Sequence, residues 1–422
     1  MNPYVLKREC VQLGGRLRTA VDLFSGAGGI TLGLRNAGYD VRLCSDLNEA
    51  CEATHYRNFP DIPFIRRDVH ELTGAEILDA AGLRPGELDL MIGGPPCQGF
   101  SIIGRREIWD PRNGLFREFI RIAGELRPKV MVVENVTGLA TLEGGAVLRE
   151  LSNAFRSAGY VPDCAELLAA QYGVPQMRWR MFFVGWRGDL ERSGGFPLPT
   201  HGRAGIGELV PNRTVGPEDS AGFVTIRDAI GDLPPVEAGG VTTTYDQRPR
   251  SLYQNAMRLD APQGLANHYA PRLSPQNIER IQFLKPGDDW RALPRELLPA
   301  GMQRALRKDH TRRYRRMVWE GVARSIITRF RDPKSGEYIH PDQHRTISIR
   351  EAARIQSFPD WFVFEKSYTE QYEQVGNAVP PLLARAVGLE LRAMLDARRG
   401  ELRPRVKCRY ALPDELALQA AE

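Results

Sequence analysis

The sequence predicts a doubly wound α/β domain with a mainly parallel sheet, joined to a second, smaller and irregular domain. From Thr19 to about residue 190, short β-rich runs alternate with helix-like stretches, and each run ends at a Gly, Pro, Asn or acidic residue. From about 190 to 345 proline, glycine and arginine become frequent and apolar periodicity weakens. A last ordered stretch, residues 348 to 395, carries helical patterns again.

Taken in order, the strands are expected at Thr19–Phe24, Val41–Asp46, Pro63–Arg67, Leu88–Gly93, Val130–Asn135 and Met181–Gly185. Helices are expected at Ile30–Ala37, closed by Gly38, at Asn48–Asn58 before Pro60, and at Leu115–Leu126 before Pro128. Two more are expected at Ile349–Ser357 and Pro381–Asp396. The chain therefore divides at residues 1–190, 191–325, 326–400 and a tail of 401–422. There is no internal repeat.

A length of 422 residues, 42% hydrophobic and 26% charged, is that of an ordinary globular protein. No run reaches the roughly 18 apolar residues of a membrane span, and Met1 to Thr19 lacks the apolar core of a secretory signal. A cytoplasmic location is expected. The six cysteines, at 10, 44, 51, 97, 164 and 408, form no C-x-x-C pair, which argues against a zinc site or a disulfide framework. A net charge of +5 is too mild to announce a nucleic-acid partner by itself.

The residues that carry chemistry cluster at the expected strand ends. Ser25-Gly26-Ala27-Gly28-Gly29 follows the first strand and leads into a helix, whose N-terminus offers free N–H groups to a ligand. Thr31 stands where a dinucleotide fingerprint would place its third glycine. Asp46 lies twenty residues past Gly26, where an acid commonly takes ribose hydroxyls. Asp68 is placed to accept from an adenine amino group; each acid reads equally as a strand-end cap. Cys97, in Gly94-Pro95-Pro96-Cys97-Gln98-Gly99, sits just past a buried strand on a loop that two prolines stiffen. Its polar and glycine neighbours favour an aimed nucleophile over a buried thiol. Glu134 ends the apolar run Val130–Val133 at the same rim, and Arg178 and Arg180 alternate toward one side of an extended segment.

In chain order these motifs read Asp22-Leu23-Phe24-Ser25-Gly26-Ala27-Gly28-Gly29, Pro95-Pro96-Cys97-Gln98, Glu134-Asn135-Val136 and Gln176-x-Arg178-x-Arg180. They end with Arg350-Glu351-Ala352-Ala353-Arg354-Ile355-Gln356-Ser357-Phe358-Pro359 and Gly376-Asn377-Ala378-Val379-Pro380. The set resembles the DNA cytosine-5 methyltransferases of bacterial restriction-modification systems, over roughly residues 19–190 and 325–395. Leu168-Ala169-Ala170-Gln171 departs from the Asn-Ala-Ala-Asp-like run that the family often has there.

The resemblance implies a Rossmann-like methyltransferase domain that uses S-adenosyl-L-methionine to methylate carbon 5 of a cytosine flipped out of double-stranded DNA. Cys97 would add to carbon 6, Glu134 would serve ring nitrogen 3, and Arg178 and Arg180 would steady the base and nearby phosphate. Phe24 would stack on the adenine, Asp46 would hold the ribose, Asp68 the adenine amino group and Asn377 the methionine end. Ser25, Gly26, Gly28, Gly29, Leu47, Val69, Pro96 and Ala378 would complete the cofactor pocket. Gly99–Arg112 would close over the flipped base, with Ser101, Arg105 and Arg106 on the DNA. The family places target recognition in the irregular region, 191–325, and the implied enzyme is a monomer, with any cognate restriction endonuclease acting separately.

Within and beside that region, Arg304 to Arg316 carries seven basic residues against one acid. Its Arg312, Arg313, Arg315 and Arg316 are expected on DNA phosphates. His340 and His344 have ligand-like spacing but no accompanying ligand cluster, so no metal is expected. A transfer-RNA cytosine-5 methyltransferase is the nearest rival, but the Cys-Phe-Thr run of those enzymes is absent. Thr31 and the Pro-Pro-Cys loop count against a nicotinamide-dependent dehydrogenase. Intact Cys97, Glu134 and Arg178 count against a non-catalytic DNA-binding regulator.

Overall fold

In the computed structural model, residues 2–96, 114–139, 145–190, 195–202, 222–304 and 313–397 are described. Cys97, Ser101, Arg105, Arg106 and Arg312 lie outside them.

The first half alternates as the sequence predicts: β1 (Arg18–Leu23), α1 (Gly29–Asn36), β2 (Tyr39–Asp46), α2 (Glu49–Asn58), β3 (Phe64–Arg66), α3 (Gly74–Ala81), β4 (Leu90–Gly93), α4 (Gly114–Leu126), β5 (Val130–Asn135), α5 (Ala146–Ser157), β6 (Tyr160–Leu168), β7 (Gln176–Met177) and β8 (Trp179–Arg187). Local chemistry sets several boundaries. Asn48 caps α2 by accepting from the Ala50 N–H, and Thr73 and Glu76 form a reciprocal capping box at α3. The seven-stranded sheet has the order β3-β2-β1-β4-β5-β8-β6. Its first five strands pair in parallel, and β8 runs antiparallel between β5 and β6. The order reverses between β1 and β4, which opens a crevice at their carboxyl ends.

Alternation along the strands feeds two cores. Ala20, Val41, Leu90 and Val132 face one side, and Val21, Leu43, Met91 and Val133 the other, under α3, α4 and α5. Thr31 in α1 gives its hydroxyl to the buried Asp22 at 2.7 Å. Burial nevertheless pushes the Asp22 carboxyl up to about 7.

Later elements are short: α6 (Ile226–Ile230), α7 (Leu252–Met257), α8 (Pro275–Phe283), α9 (Ala300–Arg304) and β9 (Ala323–Arg324). The chain then forms α10 (Ile349–Ile355), α11 (Tyr368–Asn377) and α12 (Pro381–Asp396, with Pro381 at the first helical position). The irregular texture expected from 190 is present, but this part does not keep a wholly separate core. Ile226, Tyr253 and Met257 pack in the same cluster as Ala20 and α10, whereas Ile281, Leu284, Tyr314 and Ile339 form a small cluster of their own.

Segments distant in sequence lock together through close backbone approaches. A Cβ on Gly29 would lie 2.1 Å from the Val379 carbonyl oxygen, and one on Gly33 would lie 2.5 Å from the Ala384 Cβ. β7 pairs with β9, setting Gln176 level with Ala323. Arg354 of α10 is fully buried between Asp232 and Asp360, and Arg345 pairs both Glu351 oxygens at 2.7 Å. Among the described residues no helix is long and apolar enough to cross a membrane.

Candidate active site

Strand register assembles the site. Leu23 lies level with Gly93, and Gly93 with Val133, so the next residues, Phe24, Gly94 and Glu134, emerge side by side at the carboxyl rim. Asp46 follows Ser45, which is level with Leu23. Behind this row lies a cavity of about 730 Å³. Phe24, Ser25, Gly26, Gly29, Asp46, Leu47, Asp68, Val69, Pro96, Asn377 and Ala378 line it, together with Glu134, Arg178 and Arg180. Sequence reasoning named all of these.

Two acids define one end. Asp46 is half-buried and accepts from the Gly26 and Asn48 N–H groups, each at 2.9 Å. It thus caps the glycine turn and also faces the cavity. Each of its oxygens keeps a second lone pair for a hydroxyl. Asp68 is half-buried; the His70 backbone N–H and imidazole beside it hold its carboxyl below the usual range. Phe24 takes a left-handed φ of 55° between these acids and the sheet. Acceptors for hydroxyl and amino groups beside an aromatic ring suit an adenosyl group.

One glycine differs from expectation. Gly28 does not line the cavity; it caps α1 at φ 88°, with the Phe59 ring 2.8 Å from where a Cβ would sit. Gly29 does line it, but the Val379 carbonyl is what requires glycine there.

At the other end Glu134 and Arg180 form an ion pair at 2.8 Å, with side chains 9% and 14% exposed. Burial pushes the Glu134 carboxyl up; Arg180 and Arg178 pull it down without cancelling the effect. Arg178 is used differently from Arg180. Its terminal nitrogens donate to Ser325 Oγ and to the Ile326 and Gly376 carbonyls at 3.3, 2.6 and 3.2 Å. Its buried Nε has no hydrogen-bond partner among the described residues. Gln176 adds to this clamp, accepting from the Ile326 N–H and donating to Gln356 Oε1. Pro95 and Pro96, which precede Cys97, line the same cavity, and Asn135 Nδ2 holds the Pro95 carbonyl at 3.0 Å.

The basic cluster is not one solvated stripe. Arg316 is 2% exposed and donates to the carbonyls of His340, Pro341, Gln343 and Ile281, so its guanidinium is withheld from DNA. Arg315 pairs with Glu337 at 3.2 Å, and Arg313 is half-buried. His340 accepts from the Asp342 and Gln343 N–H groups, and His344 meets Arg316, so both histidines serve local structure.

Sequence reasoning missed two stretches of wall. One is Ile326, Ile327 and Thr328, which follow β9. The other is Glu370, Glu373 and Gln374 of α11, which share a face with Asn377. The helical spacing i, i+3, i+4, i+7 was the available signal, and polar residues on that face masked it.

Comparison with known proteins agrees with this geometry. Residues 18–393 match the family model of C-5 cytosine-specific DNA methylases. Type II methyltransferase M1.HphI of Haemophilus parahaemolyticus is 35% identical, over 87% of this chain and 85% of its own length. Type II methyltransferase M.AgeI of Thalassovita gelatinovora is 32% identical, over 87% and 97%. Among solved structures, one described as a candidate DNA modification methyltransferase encoded within a prophage (E. coli) superposes with TM-score 0.66 at 26% identity. That match covers 90% of this chain and all of the other. With its sheet order, its rim of Phe24, Asp46 and Glu134 and a family match over nearly its whole length, the chain belongs to the C-5 cytosine-specific DNA methylases.

Proposed function

We propose that this protein methylates carbon 5 of a cytosine in a specific sequence of double-stranded DNA, with S-adenosylmethionine in the cavity at the sheet's carboxyl rim. The observation that carries the reading is the buried Glu134–Arg180 pair, which shares one cavity with the Asp46 and Asp68 carboxylates. The adenosyl end belongs with Phe24, Asp46 and Asp68, and the methionine end with Asn377. The cofactor, when bound, supplies an electrophilic methyl group.

The chain's own residues make carbon 5 able to accept it. The Cys97 thiolate adds to carbon 6 and converts the ring to an enamine, nucleophilic at carbon 5. Glu134, with its raised carboxyl, gives a proton to ring nitrogen 3 as the thiolate adds. Arg180 holds Glu134 in place and offers its positive charge to the base. Arg178 steadies this wall by tying it to Ile326 and Gly376. Once carbon 5 is methylated and loses its proton, the thiolate leaves by elimination. A base stacked inside a duplex cannot reach the rim of the sheet, so the cytosine leaves the duplex, at about a few kcal/mol of unstacking.

Residues 1–190 and 326–400 form the catalytic unit in this reading, and 191–325 read the target. The enzyme is taken to act as a monomer. The Type II names of the relatives support a restriction-modification setting, with a cognate nuclease acting separately. Transfer of tritiated methyl groups to duplex DNA and to transfer RNA tests the proposal. Label in transfer RNA alone overturns it.

A further inference from the structure

The α11 face presented to the cavity carries more than Asn377. Glu370, Glu373, Gln374 and Asn377 all line it. Glu370 is already committed, since the Ser367 N–H and hydroxyl occupy its carboxylate in a capping box. Glu373 is exposed and has no ion pair or hydrogen bond among the described residues. Gln374 is 4% exposed, and its Nε2 donates to the Glu365 carbonyl at 3.1 Å. That bond fixes the amide's orientation and leaves Oε1 buried without a partner. A buried acceptor on a cavity wall, beside a free carboxylate, calls for a cationic donor.

We propose that Glu373 and Gln374 form the subsite for the α-ammonium group at the methionyl end of the cofactor. The inference rests on the reading above that this cavity holds S-adenosylmethionine, and it assigns two residues that nothing in the motifs singled out. Asn377, one helical turn beyond Glu373, places an amide N–H₂ on the same face. The helix thus offers a donor for a carboxylate and acceptors for an ammonium about a turn apart, which matches the two ends of an amino-acid zwitterion. Asp46 and Asp68 lie off this helix, at the ends of β2 and β3, and serve the adenosyl group.

Three ligands separate this role from its alternatives. S-adenosylmethionine carries both a sulfonium and the ammonium, S-adenosylhomocysteine carries the ammonium without the sulfonium, and 5′-methylthioadenosine carries neither. Calorimetric titration of the full-length protein with each, for the wild type and for Glu373→Gln, is the experiment. The expected result is a loss of roughly tenfold in affinity for the first two alike, with 5′-methylthioadenosine unchanged. Glu373→Ala should give the same pattern, and the ligand-free melting temperature should not move, because the side chain is exposed.

Loss confined to S-adenosylmethionine would assign the carboxylate to the sulfonium and overturn the proposal. So would an equal loss for all three ligands, or no loss at all. If the wild type binds 5′-methylthioadenosine and S-adenosylmethionine but the variants match it, only this inference falls. If the wild type binds none of the three, the reading of the cavity falls with it.

Discussion

Arg180 Nε lies 2.8 Å from Glu134 Oε1, and the two are diagonal neighbours on one face of the antiparallel pair β5–β8, where Glu134 is level with Phe182. The pairing is part of the sheet, so the carboxylate is positioned before any base arrives. It is also incomplete as a neutraliser, because burial outweighs the two arginines and the Glu134 carboxyl stays above its usual range.

That balance fixes a pH dependence. In the proposed reaction the protonated form is the donor, and its population falls as pH rises through the raised pKa. Single-turnover methyl transfer should therefore show an alkaline limb that depends on Glu134. Glu134→Gln should remove the limb and slow transfer by about 10²–10⁴-fold. Arg180 pulls the carboxyl down, so Arg180→Gln should move the limb to higher pH while lowering the rate. A Glu134→Gln profile parallel to that of the wild type would remove the residue from proton transfer.

Cys97 is tested by trapping. Duplex DNA with 5-fluorocytosine at the target should form a covalent complex that survives denaturing electrophoresis, because fluorine cannot leave as the carbon 5 proton does. Cys97→Ala should abolish the complex and methyl transfer together. An adduct mapped by mass spectrometry to another cysteine would refute the assignment.

Two glycines make a paired stability test. Gly29→Ala would drive a methyl to 2.1 Å from the Val379 carbonyl oxygen, and it should destabilise the protein by about 1–3 kcal/mol or more. Gly124→Ala, in α4 with nothing within 4 Å of the added Cβ, should stabilise it by about 0.4–1 kcal/mol. Urea unfolding followed by circular dichroism reads both, and a stable Gly29→Ala protein would show that the α1–α12 join can yield.

Arg316 separates structure from phosphate contact. Removing it strands four carbonyls, so Arg316→Gln should lower stability by about 1.5–3 kcal/mol. The salt slope of duplex binding should hold. A true phosphate contact would instead lower that log–log slope by about 0.9. Fluorescence-anisotropy titrations across salt concentrations distinguish the two.

Much of this was legible beforehand because it rests on short-range chemistry. Alternating β runs, the helix over Asn48–Asn58 and the acids at the strand ends depend on neighbours within a few residues. What was hidden depends on partners far along the chain. Arg316 reads as a phosphate contact and Arg350 and Arg354 only as parts of a motif, and only Ile281, Asp232 and Asp360 show why they are buried. Gly29 reads as a ligand-facing glycine until Val379, from the far end, is placed against it. Strand β6 and helices α3, α5 and α11 were not anticipated; β6 is an edge strand with polar residues interrupting its pattern.

The short pairing of Gln176–Met177 with Ala323–Arg324 has a consequence for how such enzymes diversify. It draws the two ends of the long excursion between them together at a neck, and the first element of that excursion is β8 of the seven-stranded sheet. Past such a neck, lengthening or replacing the excursion changes loop entropy only logarithmically, by about 0.6 kcal/mol per doubling. Arg178, just inside the neck, and Ile326, just beyond it, stay tied by the bond from the guanidinium to the Ile326 carbonyl. Growth is therefore open to the loops of the excursion that leave β8, Asp232, Tyr253 and Met257 in place, because these pack against the main sheet and α10.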